Sequence, residues 1–586
     1  MQGIISTLAI VWRIASPYFR SEDRWAGRIL LAAVVAIELS IVGITVLINS
    51  WNAAFYNALQ DRDWGAFVYQ LGYFCVLATA FILLAVYQLY LNQWLQIRWR
   101  RWMTKAYLDR WLSGANHYRM QLLGDAADNP DQRIAEDVRY FVEGGANGMG
   151  VLSIGLGLLN AIVTLGSFAV ILWGLSVSAP LHIFGTVWAI PGYLVWAALL
   201  YAIIGTALTH LIGRPLIALN FQQQRYEADF RFNLVRVREN SEQIALLEGE
   251  SAETERLLMR FGNVVANWYA IMTRQKRLTF FTAGYSQVST VFPFVVVSPA
   301  YFAGAVQLGG LMQTANAFGQ VQGALSFFIT IYRGLAEWRA VIERLNGFDH
   351  SIAAARNVAI AKPSIVVEAG NANAVTLKDL AVRLPTGVPL IDASDISIKP
   401  GERVLVSGPS GSGKSTLFRA LAGVWPFGSG TIAVPRGAKV MILPQRPYFP
   451  IAPLTAAVAY PAPPDQYPHA DIAALIAAVG LPNLARRADE EAHWNRMLSL
   501  GEQQRLGIAR AILHAPDYLF LDEATASLDE PAEAALYHLL EERLPRSTIV
   551  SIGHRSTLAA FHRRRLAFTR EGEIYAVREG NLAPAA

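Results

Sequence analysis

The sequence has few charged residues for its length. Only 16% of its 586 residues are Asp, Glu, Lys or Arg, against about 25% in soluble proteins. Cysteine is almost absent too: Cys75 is the only one, so no disulfide can form within the chain. The shortage of charge excludes a wholly water-soluble protein, and the length predicts two or more domains.

Apolar residues are abundant instead, and they come in long runs. A membrane-spanning helix needs about 20 mostly apolar residues. Six stretches meet this requirement, at 29–48, 67–91, 148–173, 184–212, 278–305 and 310–332. Upstream of them, Ile4, Leu8, Val11 and Ala15 recur at helical spacing, which predicts an amphipathic helix on the membrane surface.

The basic residues predict how the runs are oriented. Arg98, Arg100 and Arg101 follow the second run, and Arg274 and Arg277 precede the fifth. Basic residues accumulate on the cytoplasmic side, so both termini are expected to be cytoplasmic. The net charge of +5 does not indicate nucleic-acid binding, because the basic residues crowd beside apolar runs, where they suit lipid headgroups.

The composition changes along the chain and predicts its domains. The spans and two long charged connections, 92–147 and 213–277, form a helical membrane domain over 1–348. An Ala-rich segment with Pro and Gly, 349–373, is interpreted as a linker. From 374 to 586, short β-branched runs alternate with helical patterns, which predicts an α/β domain with a mainly parallel sheet.

A phosphate-binding loop lies early in the α/β domain. Residues 408–416, GPSGSGKST, fit the pattern G-x-x-x-x-G-K-[ST] between an apolar strand and a helix. Glycines let backbone N–H groups approach phosphate oxygens, and the helix N-terminus adds favourable dipole charge. Lys414 is expected to reach the β- and γ-phosphates, and the Ser415 hydroxyl to ligate Mg²⁺.

Two carboxylates end a later apolar strand, YLFLDE at 518–523. Downstream of a phosphate loop, this pattern is typical of metal-assisted phosphoryl transfer. Asp522 is expected to hold Mg²⁺, and Glu523 to orient and deprotonate the attacking water.

Further motifs resemble those of ABC ATPases. The run LSLGEQQR at 498–505 resembles the L-S-G-G-Q signature, with Leu500 in place of a glycine and Glu502 in place of the glutamine. Gln445 resembles the Q-loop residue, Ser527-Leu528-Asp529 the D-loop, and His554 the switch histidine.

The resemblance implies an exporter-type (type IV) six-span membrane domain fused to a P-loop ABC ATPase domain. In that family the signature of one subunit completes the site of the other, which implies a homodimer with two equivalent sites for ATP and Mg²⁺. Glu523 and His554 would be catalytic, and Ser415, Gln445 and Asp522 would surround the metal. The implied nucleotide contacts are Leu384, Gly408, Pro409, Ser410, Gly411, Ser412, Gly413, Lys414, Ser415, Thr416, Gln445, Ser499, Gly501 and Asp529. Leu384 stands where the family usually has an aromatic residue against adenine.

The membrane half resembles a narrower group. Residues 129–134, NPDQRI, with Asp137 look like a motif shared by the SbmA/BacA peptide-uptake family and the subfamily D transporters of fatty acyl-CoA. Trp51-Asn52, the run FYNALQ at 55–60 and Trp494 also look like the SbmA/BacA pattern. This resemblance implies a BacA-like ABC transporter of the bacterial inner membrane that takes up hydrophilic solutes such as peptides or cobalamin. It also implies that connection 92–147 holds a short helix that docks on the ATPase domain.

Two other functions stay open on the sequence. One is a transporter of lipid or acyl-CoA like those of subfamily D. The other is an ABC-type sensor or regulator that hydrolyses ATP without moving cargo. The transport direction cannot be read from the residues, since one fold serves export and import.

Polar residues inside the spans are the candidates for cargo contacts. Gln313, Asn316 and Gln320 lie on one face of the sixth span, and Glu38 lies midway along the first. An unpaired amide in hydrocarbon costs about several kcal/mol, so the stripe either joins helices through hydrogen bonds or lines a water-filled cavity. For Glu38 the alternatives are solute or proton handling, or a structural pairing inside the bundle.

Overall fold

The chain forms two compact units. The computed structural model describes residues 2–124, 129–144, 149–178, 181–183, 186–188, 190–371 and 373–580. One unit comprises 1–108 and 130–347, and the other comprises 109–129 and 348–586. The second unit therefore includes a piece of the predicted cytoplasmic connection 92–147.

Long helices make up the first unit and run past the apolar stretches that define the predicted spans. In chain order the helices are α1 Gln2–Ala15, α2 Arg24–Gln60, α3 Trp64–Leu112, α4 Asn116–Leu122, α5 Pro130–Gln132, α6 Val138–Val142, α7 Val151–Ser178, α8 Tyr193–Glu239, α9 Ser241–Leu246, α10 Glu250–Phe302 and α11 Leu308–Ile360. Of these, α4 belongs to the second unit, and α3 and α11 each extend into it. The charged connections continue the spans as helices, as their periodicity predicts.

Five helices in the described part of the chain are long and apolar enough to cross a membrane, and each contains most of one of the first five predicted spans. The sixth, 310–332, lies in the unbroken helix α11 but does not meet the same measure of apolarity. Its amides lower the hydropathy, so length and helix continuity rather than composition mark it as a span.

The fourth span begins later than predicted. Residues Leu181–Ile183 (β1) and Thr186–Trp188 (β2) pair as an antiparallel hairpin, and α8 begins only at Tyr193. Pro191 cannot continue a ladder, and Gly192 takes a φ of +66° that starts the helix. The span prediction at 184–212 is therefore wrong at its start by about two and a half helical turns, because apolar strand and helix residues look alike in composition.

Apolar and tyrosine contacts hold the first unit together. A buried cluster joins α7, α8, α10 and α11 and includes Phe168, Leu194 and Phe318. The hydroxyl of Tyr201 donates to the carbonyl of Tyr285 (2.6 Å), and the hydroxyl of Tyr285 donates to the carbonyl of Tyr201 (2.8 Å). This reciprocal pair ties α8 to α10.

The segment after Asn129 forms a buried ion cluster. Residues Arg133–Asp137 make one wide π-helical turn, which is a local irregularity often retained for a side-chain contact. The Asp137 carboxylate, only 1% exposed, accepts from Arg133 Nη1 at 2.6 Å and from Arg344 Nη2 at 2.6 Å. The motif NPDQRI with Asp137 thus has a structural role in this unit.

The second unit is built on a large mixed sheet. Its strands are β3 Val366–Gly370, β4 Val375–Arg383, β5 Pro389–Asp392, β6 Ile396–Ile398, β7 Arg403–Ser407, β8 Gly428–Pro435, β9 Val440–Leu443, β12 Tyr518–Asp522, β13 Thr548–Ile552, β14 Arg564–Glu571 and β15 Ile574–Gly580, while β10 Ala452–Pro453 and β11 Glu491–Ala492 pair separately. The order is β3-β8-β4-β5-β15-β14-β7-β13-β12-β9, with β6 beside β4. Strands β14, β7, β13, β12 and β9 are parallel neighbours, as predicted.

Helices cover both faces of this sheet, which is the layering that a parallel core requires. They are α12 Lys414–Leu421, α13 Leu454–Ala459, α14 His469–Ala478, α15 Pro482–Ala485, α16 Trp494–Met497, α17 Leu500–His514 and α18 Glu530–Arg543. Alternate residues of β12 enter two cores: Leu519 and Leu521 pack in one, and Tyr518 and Phe520 in the other.

The segment 349–373, interpreted above as a linker, carries regular structure. Helix α11 continues to Ile360, and β3 occupies Val366–Gly370. Alanine has the highest helix propensity of all residues, so the Ala-rich stretch extends the helix.

Helix α4 packs on the sheet domain within the second unit. Arg119 Nη2 donates to the carbonyl of Gly423 at 3.3 Å, and Leu122 packs against the core cluster that contains Phe418. This confirms the short docking helix expected in connection 92–147 and locates it at 116–122.

Candidate nucleotide-binding site

The phosphate loop joins β7 to α12, the strand-to-helix context that its sequence predicts. Gly411 and Gly413 have φ values of +77° and +94°, which favour glycine. Lys414 is only 6% exposed, and its Nζ donates to the carbonyls of Gly408 (2.9 Å) and Pro409 (2.8 Å). Burial lowers the pKa of Lys414. The lysine is thus folded over the loop, where an incoming phosphate would give it an anionic partner.

Ser415 and Asp522 meet at the edge of the sheet. The Ser415 hydroxyl donates to Asp522 Oδ1 at 2.8 Å, and burial raises the pKa of Asp522. A hydroxyl and a carboxylate are oxygen donors, which suit Mg²⁺ together with substrate phosphates. These two residues therefore fit the ion that the motifs imply, and Mg²⁺ held there would neutralise charge on the transferred phosphoryl group.

Glu523 stands at the centre of three motifs. It follows β12 directly and has a φ of +50°, which is uncommon for a non-glycine residue. Gln445 Nε2 donates to its Oε2 at 3.1 Å, and His554 Nε2 lies 3.3 Å from its Oε1. The structure thus brings the predicted base, Q-loop residue and switch histidine together, with the carboxylate available to orient a water molecule.

Gln504 links these elements, a role that the sequence motif alone does not reveal. Its side chain is 1% exposed. Nε2 donates to the carbonyls of Gln445 (3.1 Å) and Glu523 (3.3 Å), while Oε1 accepts from the backbone N–H of Ser527 (2.9 Å). One amide thereby fixes the backbone at Gln445, Glu523 and Ser527 relative to one another.

Arg510 is a second residue that sequence reasoning missed. It lies in α17, is 7% exposed, and donates to the carbonyls of Tyr448, Ala457 and Val458. Burial lowers its pKa to about 10. Its guanidinium holds the segment that follows the Q-loop, although a lone arginine in a helix gives no sequence signal for this.

The signature begins helix α17 with a capping box. Glu502 Oε2 accepts from the backbone N–H of Ser499 (2.9 Å) and from its hydroxyl (2.8 Å), while Ser499 Oγ accepts from the N–H of Glu502 (3.3 Å). A Cβ on Gly501 would lie 3.2 Å from Leu528 Cδ2. The departure at Glu502 is therefore accommodated as a helix cap, and Gly501 allows the signature to pack closely on the D-loop.

The remaining predicted residues have different surroundings. Leu384 follows β4 at a tight turn, and its N–H donates to the Val388 carbonyl at 2.8 Å. Its side chain packs against the core cluster that contains Phe418. Asp529 precedes α18 and is exposed. Adenine contact by Leu384 and nucleotide contact by Ser499, Gly501 and Asp529 stay predictions.

In the first unit, two of the four predicted cavity residues share one pocket. Glu38 and Gln320 both line a cavity of about 290 Å³. Gln313 and Asn316 are half-buried and do not line it. Nearby, the Ser289 hydroxyl bonds to Gln322 Oε1, joining α10 to α11. The polar residues of the sixth span therefore fit both alternatives given above: Gln322 joins two helices through a hydrogen bond, and Gln320 lines a cavity.

Two further residues of the narrower resemblance are packing residues. Trp494 is fully buried and donates from Nε1 to the Ala452 carbonyl at 2.9 Å. Trp51 donates from Nε1 to the Gln70 carbonyl at 2.8 Å and stacks on Phe74.

The phosphate loop, the Asp522–Glu523 pair and the surrounding network define a P-loop ATPase, fused here to a helical membrane domain. Two family models match accordingly: ABC transporter transmembrane region 2 over residues 14–302, and ABC transporter over residues 391–526. The inner membrane ABC transporter ATP-binding protein YddA of Escherichia coli is 34% identical, over 92% of this chain and 94% of that protein. The chain belongs to the ABC transporter family.

Relatives extend to eukaryotes. ABC transporter D family member 2, chloroplastic, of Arabidopsis thaliana is 34% identical, over 95% of this chain and 86% of its own length. The human lysosomal cobalamin transporter ABCD4 is 26% identical, over 80% of this chain and 79% of its own length. A bacterial Atm1-family ABC exporter with ATP bound has the same fold, with a TM-score of 0.67 at 18% identity over 94% of this chain and 96% of that one. This likeness confirms the predicted exporter-type fold.

Proposed function

We propose that the protein is an ATP-driven importer of hydrophilic solutes such as peptides or cobalamin, acting as a homodimer in the bacterial inner membrane. Both termini are then cytoplasmic, and the chain is a BacA-like member of its family. The observation that carries the proposal is the polar pocket in the membrane unit, where Glu38 and Gln320 line one cavity. A polar recess at this position suits a solvated cargo and holds an acyl chain poorly.

The nucleotide site supports ATP hydrolysis as the energy source. Lys414, Ser415, Asp522 and Glu523 are in place within one unit. In the proposed homodimer, Ser499, Gly501 and Asp529 of each subunit complete the site of the other. The relative named a cobalamin transporter supports a hydrophilic cargo, and the relative named inner membrane supports the location.

Lipid or acyl-CoA transport is the second candidate, favoured by the similarity to a D family transporter. A sensor that hydrolyses ATP without moving cargo is the third.

The test is uptake by proteoliposomes of defined orientation, using labelled peptide, cobalamin and acyl-CoA with ATP on the cytoplasmic side. ATP-dependent movement of peptide or cobalamin toward that side is expected. Movement of acyl-CoA alone would favour the second candidate, and ATP hydrolysis with no movement the third.

The stripe on the sixth span predicts where water reaches. In a Cys75→Ala background, single cysteines at Gln313, Asn316 and Gln320 are expected to react with a water-soluble maleimide, because in the proposed homodimer the stripe lines a water-filled cavity at the dimer axis. Ala317→Cys is the buried control, since Ala317 is 0% exposed on the same helix. Mass spectrometry of labelled protein, with and without nucleotide, gives the extent of reaction. Stripe positions as inert as position 317 in both states would rule out the solvated cavity.

A further inference from the structure

Glu38 carries the only formal charge inside the membrane-spanning sequence. No other Asp, Glu, Lys or Arg occurs in the six predicted spans. Glu38 is only 7% exposed. A carboxylate buried at mid-membrane without a cation is costly to keep, and the six predicted spans contain no lysine or arginine.

Neutral amides fix the direction of this carboxylate. Gln88 Nε2 donates to one oxygen, and Asn160 Nδ2 donates to the other at 2.5 Å. The Thr164 hydroxyl donates to Asn160 Oδ1 at 3.4 Å, which turns the amide N–H₂ of Asn160 toward Glu38. Each carboxylate oxygen accepts up to two hydrogen bonds, so each retains acceptor capacity beyond its amide.

The cavity beside Glu38 has room for part of a solute. Its volume of about 290 Å³ lies just below the range of whole-ligand pockets, about 300–1,000 Å³. Thr164 and Gln320 add polar wall, while Ala161, Ala324 and Phe327 add apolar wall. Among the described residues, no group of three or more His, Cys, Asp or Glu side chains is placed to hold a metal ion.

These features favour an organic cation over a metal ion. Mg²⁺ and Ca²⁺ take six or more oxygen ligands, and the apolar wall of the pocket supplies none. An ammonium or guanidinium group on an alkyl stem matches both the carboxylate and the apolar wall of the pocket. Its charged head pairs with the carboxylate, and its methylene stem packs on the apolar wall.

We propose that the Glu38 pocket recognises a cationic group, primary ammonium or guanidinium, carried by the transported solute. This rests on the proposed function and narrows it, since it makes the importer prefer cargo with a positive charge on a short aliphatic stem.

The test compares two peptides that differ only in that charge. One is an N-acetylated, amidated tripeptide with a central lysine, and the other is the same peptide with the lysine ε-acetylated. ATP-dependent uptake by proteoliposomes of the full chain is expected to favour the lysine peptide by about tenfold, the ratio that about 1.4 kcal/mol of differential binding gives. In Glu38→Gln, which keeps the size of the side chain, the ratio is expected to fall to near one.

A second pair of variants tests the pocket without altering the carboxylate. Gly323 lines the cavity and a Cβ there would meet nothing within 4 Å, so Gly323→Leu places a side chain at the cavity wall. Gly319 is equally open at Cβ but does not line the cavity. We expect Gly323→Leu to reduce the preference and Gly319→Leu to retain it. If Glu38→Gln fails to fold, this pair still tests whether the cavity beside Glu38 produces the preference for the lysine peptide.

The outcomes separate this inference from the proposed function. Equal uptake of both peptides by the wild type, or a preference that survives both Glu38→Gln and Gly323→Leu, overturns the cation pocket and leaves peptide import standing. A preference that disappears when Na⁺ is replaced by K⁺ assigns the pocket to an inorganic ion and also overturns it. Absence of uptake of either peptide and of cobalamin removes the proposed function and the inference with it.

Discussion

Glu523→Gln is expected to lower the rate of ATP hydrolysis by about 10²–10⁴-fold, the usual contribution of a positioned general base, while ATP binding persists. The substitution keeps the size and the planar head of the side chain, so Gln445 and His554, which lie 3.1 Å and 3.3 Å from its two oxygens, keep their positions. The amide cannot accept a proton from water. Steady-state phosphate release and equilibrium binding of a fluorescent ATP analogue measure the two effects separately.

Two other variants give this experiment its controls. Lys414→Ala is expected to weaken nucleotide binding itself, because the ammonium group is the charged partner of the phosphates. Glu542→Gln removes an exposed carboxylate on α18, whose ion partner Arg543 is also exposed, and is expected to leave hydrolysis unchanged. Hydrolysis at near the wild-type rate in Glu523→Gln would mean that another group activates the water.

The positions of the phosphate loop and of the Asp522–Glu523 pair in the fold are predictable from the sequence because these elements are local. The phosphate loop needs only a strand, a glycine-rich turn and a helix in succession, and Asp522 and Glu523 need only the end of a strand. Gln504 and Arg510 are different, since their partners lie on separate loops that only the folded chain brings near. A single sequence carries no signal for such contacts.

In the membrane unit, helix positions are predictable and side-chain partners are not. Apolar runs identify where helices occur, yet the hairpin before Tyr193 has the same composition as a span. Helical spacing groups Gln313, Asn316 and Gln320 on one face. It cannot show that Gln320 alone lines the pocket of Glu38, because that depends on how α2, α7 and α11 pack.

Asp137→Asn is expected to destabilise the membrane unit by about 3 kcal/mol, the lower end of the effect of removing one partner from a buried ion pair. Asp137 is 1% exposed and accepts from both Arg133 and Arg344 at 2.6 Å. Asparagine retains the volume but removes the negative charge that both guanidinium groups contact, and the Arg133 side chain is only 11% exposed. The loss is expected as a lower midpoint of thermal unfolding for the purified, detergent-solubilised protein.

A matched control lies on the same helix as Arg344. Glu343 pairs with Arg339 at 2.8 Å, but both side chains are more than half exposed, at 59% and 56%. An exposed ion pair contributes at most about 1 kcal/mol, so Glu343→Gln is expected to shift the midpoint little. If Asp137→Asn lowers the midpoint no more than Glu343→Gln does, the ion cluster does not stabilise the unit. The bond from Arg133 to Asp137 would then not explain the presence of the NPDQRI motif, and the motif would need another role.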